Sequence, residues 1–270
     1  KIGYHLYGGY DLIDTPRSTA IREMDRVNAL LRKVFNKDVF EVSDGRIKEF
    51  GFSSELVSHM VYSPFEAQID TGEMMKTLIK YAQFLGIQIV NGAEAKEISG
   101  GKVSVWHSAL NEQITFRSER VIVCANAFVN RILPEPEVKP GRGQVLITNE
   151  IEELKFKGIF HYDEGYYYFR NYGNRVIIGG GRNLDFRKEE SYDFSYNEMI
   201  MDDLKNKLDN MILPGVKYKI TDKWTGIMGF TENKLPEIKV IDENTIAALS
   251  CNGMGIALSS YIAREIVNKL

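Results

Sequence analysis

The chain carries two kinds of hydrophobic periodicity, one typical of helices and one typical of strands. Residues 71–85 form the clearest predicted helix, because apolar side chains recur there every three or four residues. Asp70 or Thr71 is suited to cap its start, and Gly86 is suited to end it. The same spacing predicts three more helices, over residues 16–35, 196–211 and 255–269, the first with Pro16 in its first turn.

Short runs of β-branched and aromatic residues between the helices predict strands. They lie at residues 3–13, 60–65, 87–91, 94–98, 102–107, 113–117, 119–124, 142–148, 157–162, 165–170, 174–180, 217–230 and 245–250. Residues 108–112 separate two of these strands by the length of a hairpin loop. The strands between 142 and 180 predict an antiparallel sheet, and Pro134, Pro136 and Pro140 mark a crossover just before it. The whole pattern predicts a mixed α/β fold.

Composition narrows the class of protein without identifying its chemistry. The 270 residues are 44% hydrophobic and 26% charged, which is ordinary for a globular protein and leads us to expect a cytoplasmic location. The net charge of −3 gives no basic field to attract nucleic acid, and residues 245–262 are too polar for a membrane helix. Cys124 and Cys251 end apolar strands and are expected to be buried free thiols, and no Cys/His spacing suits a metal.

The most informative pattern lies near the carboxyl end, where a predicted strand runs into residues 251–256 and then into a helix. This stretch reads Cys-Asn-Gly-Met-Gly-Ile. The start of a helix carries partial positive charge and unpaired backbone N–H groups, which favour an anionic or electron-rich ligand. Glycine has no Cβ, so such a ligand can approach the backbone closely. Residues 251–256 therefore predict a ligand site made of main-chain groups.

The same region contains a Gly-x-x-x-x-Thr-x-x-x-x-Pro stretch, then a strand, then the glycine-rich turn into the last helix. The residues that form this pattern are Gly226, Thr231, Pro236, Gly253 and Gly255. In this order they resemble the closing segment of the D-amino-acid oxidase/glycine oxidase family of FAD-dependent oxidoreductases.

Four upstream segments are similar to the same family, in the family's order. Residues 68–98 resemble the helix and strands around the adenine end of FAD, and residues 120–128 resemble a strand that passes the cofactor. Residues 141–148 resemble the family's Arg-Gly-Gln strand, and residues 165–182 resemble its paired strands over the active site. Because order and spacing agree, the chain is identified as a member of this family.

The resemblance implies FAD as cofactor and a small amine or amino acid as substrate, oxidised at a C–N bond by hydride transfer to the flavin. It implies a partial Rossmann-like FAD domain at 69–133 and 232–270, interleaved with an antiparallel-sheet substrate domain at 1–68 and 134–231. The cofactor-binding residues that it implies are Ala95, Ala125, Asn126, Ala127, Gly226, Met228, Asn252, Gly253, Met254, Gly255 and Ile256. The substrate-side residues are Tyr168, Arg170 and Met228. It identifies no catalytic acid or base.

The family's first element, a strand followed by Gly-x-Gly-x-x-Gly and a helix, has no match in the 270 residues. That glycine-rich turn grips the pyrophosphate of FAD. We therefore interpret the chain as a fragment that lacks roughly the first hundred residues of a typical member. We expect it to bind FAD weakly, or not at all, by itself.

The substrate prediction is limited by missing arginines. Members of the family hold the substrate carboxylate with arginine, and Met228 occupies one such position here. Either Arg142, Arg170 or Arg182 takes over that role, or the substrate is not a simple α-amino acid.

The tyrosine-rich strand is the candidate substrate surface. Tyr168 and Arg170 are expected on one face of it, opposite Tyr167 and Phe169. His161, at the end of the preceding strand, fits a structural role better than a catalytic one. Two other functions stay open: a non-catalytic binding or scaffold module derived from the same fold and, with less support, a nicotinamide-dependent dehydrogenase. The sequence predicts neither the electron acceptor nor the oligomeric state.

Overall fold

The computed structural model describes residues 2–15, 18–133, 137–249 and 251–270. The helices are α1 (Thr19–Phe35), α2 (Gly45–Glu49), α3 (Thr71–Phe84), α4 (Phe186–Glu189), α5 (Glu198–Lys207) and α6 (Gly255–Val267). The strands are β1 (Gly9–Ile13), β2 (Glu41–Val42), β3 (His59–Ser63), β4 (Ala93–Ser99), β5 (Lys102–His107), β6 (Glu112–Arg117), β7 (Val121–Val123), β8 (Lys139–Thr148), β9 (Ile159–Tyr162), β10 (Tyr167–Tyr172), β11 (Arg175–Gly180), β12 (Ile220–Phe230), β13 (Glu237–Val240) and β14 (Thr245–Leu249). The fold is mixed α/β, as predicted.

The chain forms two compact units and passes between them several times. The first comprises Lys1–Thr77, Gly143–Phe186 and Ser195–Thr225. The second comprises Leu78–Arg142, Arg187–Phe194 and Gly226–Leu270.

The largest sheet has eight strands in the order β12-β8-β11-β10-β9-β1-β3-β2. The predicted antiparallel pairing is confirmed for β8 with β11, β11 with β10 and β10 with β9. The pair β1–β9 is parallel, which the strand patterns did not indicate because they carry no information on direction.

One face of this sheet forms an aromatic core. Phe160 is fully buried and stacks on Phe169 and Tyr10, with ring centroids 4.6 and 4.9 Å apart. These residues are cross-strand partners, so their side chains project from the same face. Leu204 of α5 belongs to the same buried cluster, as does Leu208 in the π-helical turn that follows α5. Burial of this face leaves the opposite face of the strands for polar side chains.

In the first unit, two glycines and a capping serine set where β1 and α1 begin. The strand predicted over 3–13 forms only at β1, because Gly3 and Gly8 adopt positive φ angles of 56° and 81° that interrupt extended backbone. Helix α1 begins after Ser18, whose hydroxyl accepts a hydrogen bond from the N–H of Ala20 at 3.1 Å. Pro16, predicted in the first turn, lies outside the described residues, as do Pro134 and Pro136 of the predicted crossover.

The second unit contains two three-stranded sheets, β13-β14-β7 and β4-β5-β6. The predicted hairpin is confirmed as β5 and β6. Strand β14 is buried along its whole length and pairs in parallel with β7. Ile262 and Ile266 of α6 pack with Ala248 of β14, so the last helix rests on this small sheet.

The prediction of a strand at 87–91 was wrong. No strand within the described parts of the chain pairs with this segment, and Ile87, Ile89 and Val90 are exposed. Helix α3, just before it, is confirmed, yet none of its residues is buried although every one is described. Apolar extended backbone forms a strand only when a neighbour accepts and donates its hydrogen bonds.

None of the helices in the described ranges is long and apolar enough to cross a membrane.

Replacement of Phe160 by alanine tests the aromatic core. We expect Phe160→Ala to lower the free energy of unfolding by about 3–5 kcal/mol, because a fully buried ring leaves a cavity between two stacked neighbours. Urea denaturation followed by circular dichroism measures the loss. Phe84→Ala is the matched control, because the Phe84 side chain on α3 is 83% exposed. Equal losses in the two variants would show that the core does not depend on Phe160.

Candidate functional site

Two turns lie side by side at one edge of the β13-β14-β7 sheet. Strand β7 runs into residues 124–127, and β14 runs towards residues 251–255. The two strands are parallel neighbours, with Val123 opposite Ala247, so their carboxyl ends lie at the same edge. In open α/β sheets, crevices at the carboxyl ends of parallel strands are the usual place for ligands.

Both turns contain an asparagine in the left-handed backbone conformation. The φ angles are 46° at Asn126 and 48° at Asn252, and Gly253 follows at 88°. Asparagine and glycine adopt this region at lower cost than other residues. The amide side chain of Asn252 holds its turn in place: Oδ1 accepts the N–H of Thr231 at 3.0 Å, and Nδ2 donates to Oγ1 of Thr231 at 3.2 Å.

Helix α6 starts directly at the second turn. Met254 is its N-cap residue and makes no side-chain capping hydrogen bond to any described residue. The backbone oxygen of Met254 accepts the N–H groups of Ala257 and Leu258 at 3.1 Å each. The side chains of Met254 and Ile256 are about half exposed. Met254 brings no carboxylate or hydroxyl to the cap position, so its side chain does not offset the positive end of the helix dipole.

The end of β12 contacts both turns. A Cβ atom on Gly229 would lie 2.7 Å from Oδ1 of Asn126 and 3.0 Å from the backbone nitrogen of Ala127. The Sδ atom of Met228 lies 4.0 Å from the position of a Cβ on Gly253. Sequence reasoning missed Gly229, although the two closely spaced glycines of this strand were a signal that could have identified it.

The cysteines lie at the same edge and are free thiols. Cys251 is half-buried and burial raises the pKa of its thiol. The prediction that both thiols are buried was wrong for Cys124, which is exposed, because it follows the last paired residue of β7 where the sheet ends. In the part of the chain that the structure describes, no three His, Cys, Asp or Glu side chains are grouped to hold a metal ion.

Arg142 is already engaged by an internal partner. Its Nε and Nη2 atoms donate to the two carboxylate oxygens of Glu189 at 3.0 and 2.8 Å, and both side chains are buried. Its Nη2 and Nη1 also reach the backbone oxygens of Lys188 and Asp193 at 3.3 Å. This bidentate pair occupies the edge of the guanidinium that would bind a carboxylate, so Arg142 is not a substitute substrate ligand.

The predicted strand faces of β10 are confirmed. Tyr167 and Phe169 are buried in the aromatic core, whereas Tyr168 and Arg170 project from the opposite face. The hydroxyl of Tyr168 lies over Gly179, 2.5 Å from the position that a Cβ would take there. Tyr168 is 39% exposed, and a phenol keeps its proton at neutral pH, so Tyr168 can donate a hydrogen bond.

The charges of Asp70 and Arg170 each affect the pKa of the other side chain. Burial lowers the pKa of the Arg170 guanidinium, and the negative charge of Asp70 opposes that effect. The backbone N–H of Glu73 donates to Oδ1 of Asp70 at 2.9 Å and is the main reason why the pKa of Asp70 is lowered. Asp70 is therefore ionised, and its charge acts on the pKa of Arg170 less strongly than burial does. The third candidate arginine, Arg182, lies over the ring of Phe186 at 5.1 Å.

Ala95 and His161 lie on strands other than the two that lead into the turns. Ala95 is on β4, opposite Val105 and beside a β-bulge. His161 is on β9, beside Asp11 of β1 on the polar face of the large sheet. No local pattern predicts that His161 lies beside Asp11, because the two residues come from distant segments of the chain.

A model of the FAD dependent oxidoreductase family matches residues 2–269. The chain belongs to this family. FAD is the family's cofactor. No curated protein sequence matches the chain.

Solved structures of low sequence identity have the same fold. Glycine oxidase from Bacillus cereus ATCC 14579 is 18% identical with a TM-score of 0.78, over 100% of this chain and 74% of that one. Glycine oxidase from Geobacillus kaustophilus is 17% identical with a TM-score of 0.79, over 99% and 71%. L-proline dehydrogenase from P. horikoshii is 16% identical with a TM-score of 0.76, over 96% and 70%.

The two turns of the second unit carry main-chain groups whose chemistry suits the flavin-ring end of FAD. The left-handed turns at Asn126 and Asn252 and the start of α6 provide main-chain groups of the kind that suits the electron-rich ring of a flavin. For the pyrophosphate, the 270 residues contain no Gly-x-Gly-x-x-Gly turn.

Replacement of Gly229 tests the contact between β12 and the first turn. We expect Gly229→Ala to reduce the free energy of unfolding by about 1–3 kcal/mol, because the new methyl group overlaps backbone and side-chain atoms. Thermal or urea denaturation measures the change. Gly226→Ala is the control on the same strand, since a Cβ there meets no atom of the described residues within 4 Å. Equal stability of the two variants would contradict the close approach.

The buried ion pair gives a second test. We expect Glu189→Gln to lower the free energy of unfolding by about 3–5 kcal/mol, because it leaves the buried guanidinium of Arg142 without its countercharge. The neighbouring carboxylate Glu190 is exposed, and Glu190→Gln should change stability by less than about 0.5 kcal/mol. Urea unfolding of both variants makes the comparison. A near-neutral Glu189→Gln would argue that Arg142 is available for other ligands.

Proposed function

We propose that the chain provides the flavin-ring site and the substrate surface of an FAD-dependent oxidoreductase that oxidises a C–N bond of a small amine or amino acid. Membership of the family supports the cofactor class. The solved neighbours include proteins named for glycine, L-proline and iminodiacetate. Each of these compounds has an amine nitrogen next to a carbon that bears hydrogen.

The parallel pair β7–β14 is the observation that carries this proposal. It places two left-handed turns at one sheet edge, and the second turn opens a 13-residue helix whose N-cap residue, Met254, makes no side-chain capping hydrogen bond to a described residue. Preorganised N–H groups and a helix dipole stabilise negative charge that develops on a bound ring. Bound FAD supplies the hydride acceptor, and the chain binds and orients the reactants.

The cofactor-binding roles are assigned by these positions. We assign the flavin end to residues on the two turns and on β12: Ala125, Asn126, Ala127, Gly226, Met228, Asn252, Gly253, Met254, Gly255 and Ile256. Ala95 on β4 is assigned to the adenine end. Without a pyrophosphate-gripping turn, several kcal/mol of charge-assisted hydrogen bonds are lost, so the 270 residues alone should hold FAD weakly.

On the substrate side we assign Tyr168, Arg170 and Met228. Tyr168 donates a hydrogen bond from its protonated phenol. Arg142 is bound to Glu189, and Met228 occupies a position where the family places a carboxylate-binding arginine. With fewer arginines free for a substrate carboxylate, we favour an amine as substrate, and an N-substituted amino acid, which keeps its carboxylate, would need Arg170 as its partner.

Cofactor binding gives the first test. The 270-residue chain and the longest product of its gene are purified with added FAD and passed through gel filtration, and the flavin absorbance near 450 nm (roughly the position of the oxidised flavin band) is recorded. We expect the short chain to elute nearly colourless. A yellow 270-residue chain would contradict the weak binding that we propose.

The reaction itself is tested without knowledge of the electron acceptor. The longest product of the gene, loaded with FAD, is mixed anaerobically with glycine, L-proline, sarcosine and benzylamine in turn, and bleaching of the flavin absorbance is followed. We expect at least one amine to bleach the flavin. Retained FAD with no bleaching by any amine would instead favour the non-catalytic binding module.

A further inference from the structure

A cleft opens on the first unit beside the aromatic core. It has a volume of about 440 Å³, and its walls come from the segments 7–10, 46–50 and 154–157. All three segments belong to the first unit, so the geometry of the cleft does not depend on the second unit. The volume lies in the range of sites that hold small molecules, roughly 300–1,000 Å³.

Arg46 of α2 is the best-fixed cation of this cleft. Its Nη1 atom donates to the hydroxyl of Tyr10, and its guanidinium lies over the ring of Tyr62, 4.6 Å from the centroid. Arg46 is half-buried, and its side chain makes no other hydrogen bond to a described residue. A guanidinium has five N–H donors. The two tyrosines therefore hold Arg46 in place and leave most of its donors for a ligand.

Two lysines add positive charge to the wall formed by residues 154–157. The stem of Lys155 packs on the turn at Gly51, where a Cβ would lie 3.3 Å from its Cδ atom. The Nζ atom of Lys157 lies over the ring of Tyr7, 5.7 Å from the centroid. No carboxylate in the described ranges forms an ion pair with either lysine or with Arg46. The cleft therefore contains three cations whose charge is available to an anion.

The charges that line the cleft are unequal. Glu49 is the one acidic side chain among the described residues of its walls, and it is exposed. Three positive charges against one negative charge leave an excess of two positive charges. The whole chain carries a net charge of −3, so the cleft is a local positive field on an acidic protein. A doubly charged anion matches this excess.

Apolar side chains give the same cleft a second kind of surface. Phe50 packs edge-on against Tyr10 with ring centroids 5.4 Å apart, and Tyr10 is buried in the aromatic core. Phe50 and Leu154 line the cleft and are half-buried, so part of each side chain stays accessible. A rigid ring held in this way offers apolar contact at little conformational cost.

We propose that this cleft binds a small phosphate monoester that carries a flat ring, either an aryl phosphate or a nucleotide. The phosphate accepts hydrogen bonds from the planar fork of Arg46, and the charges of Lys155 and Lys157 attract it. The ring packs against Phe50 and Leu154. This site goes beyond the proposed amine oxidation and does not depend on it, because none of its residues is assigned to the flavin or to the amine.

Calorimetric titration of the 270-residue chain separates the contributions of charge and ring. The ligands are phenyl phosphate, AMP, inorganic phosphate and phenol, because each of the last two has only one of the two features. We expect the better of phenyl phosphate and AMP to bind about tenfold more tightly than inorganic phosphate, since its ring buries apolar surface. Phenol should show no binding. The tighter of the two esters identifies whether the phosphate comes from an aryl phosphate or from a nucleotide.

Variants of the cationic residues locate the binding in this cleft. We expect Arg46→Gln to raise the dissociation constant of the tighter ester about tenfold or more, because it removes charge-assisted hydrogen bonds. Lys157→Gln should raise it about two- to fivefold, since an exposed lysine contributes less. Lys33→Gln is the matched control, because Lys33 is an exposed lysine of α1 that does not line the cleft, and it should leave the dissociation constant unchanged. Circular dichroism checks that each variant is folded.

If Arg46→Gln does not fold, the double variant of Lys155→Gln and Lys157→Gln tests the same cleft, because both lysines are exposed. Binding that is unchanged in the folded cleft variants overturns the proposal, since the ester then binds elsewhere. Inorganic phosphate or phenol that binds as tightly as the better ester overturns it as well, and so does the absence of binding by either ester. None of these results bears on flavin reduction by amines, so this proposal and the proposed oxidation can fail separately.

Discussion

The parallel pairing of β7 with β14 is the constraint on which the candidate cofactor site depends. Backbone hydrogen bonds set Val123 opposite Ala247, and this register alone brings the turns after the two strands to one edge. The left-handed conformations at Asn126 and Asn252 then turn the chain sharply enough to expose main-chain groups. Loss of the register would separate the turns even if each kept its local conformation.

Glycines serve close approach at three separated places. Gly229 lets β12 contact the first turn, Gly179 makes room for the hydroxyl of Tyr168, and Gly9 makes room for the carboxylate of Glu66. In each case the neighbouring group occupies the position of the missing Cβ. The same device therefore shapes both the main-chain site of the second unit and the polar face of the first.

Arg142 is the candidate arginine whose charge is balanced by a direct internal partner. It forms a buried bidentate ion pair with Glu189, so it does not resemble the unpaired clamp that a carboxylate requires. Arg170, His161 and Asp11 lie on the polar face of the large sheet. This face therefore carries charges of both signs, and it does not by itself select a cation or an anion.

Three local features could be predicted from the amino-acid sequence: the helical period of α3, the alternation that separates Tyr168 from Phe169, and the glycine turn that opens α6. These depend on residues close together in the chain. Other features became visible only in the folded chain: Arg142 is bound to Glu189, Asp11 lies beside His161, and residues 87–91 have no strand partner among the described residues. These depend on pairing and register between distant segments, because backbone hydrogen bonds and burial choose partners that no local pattern encodes.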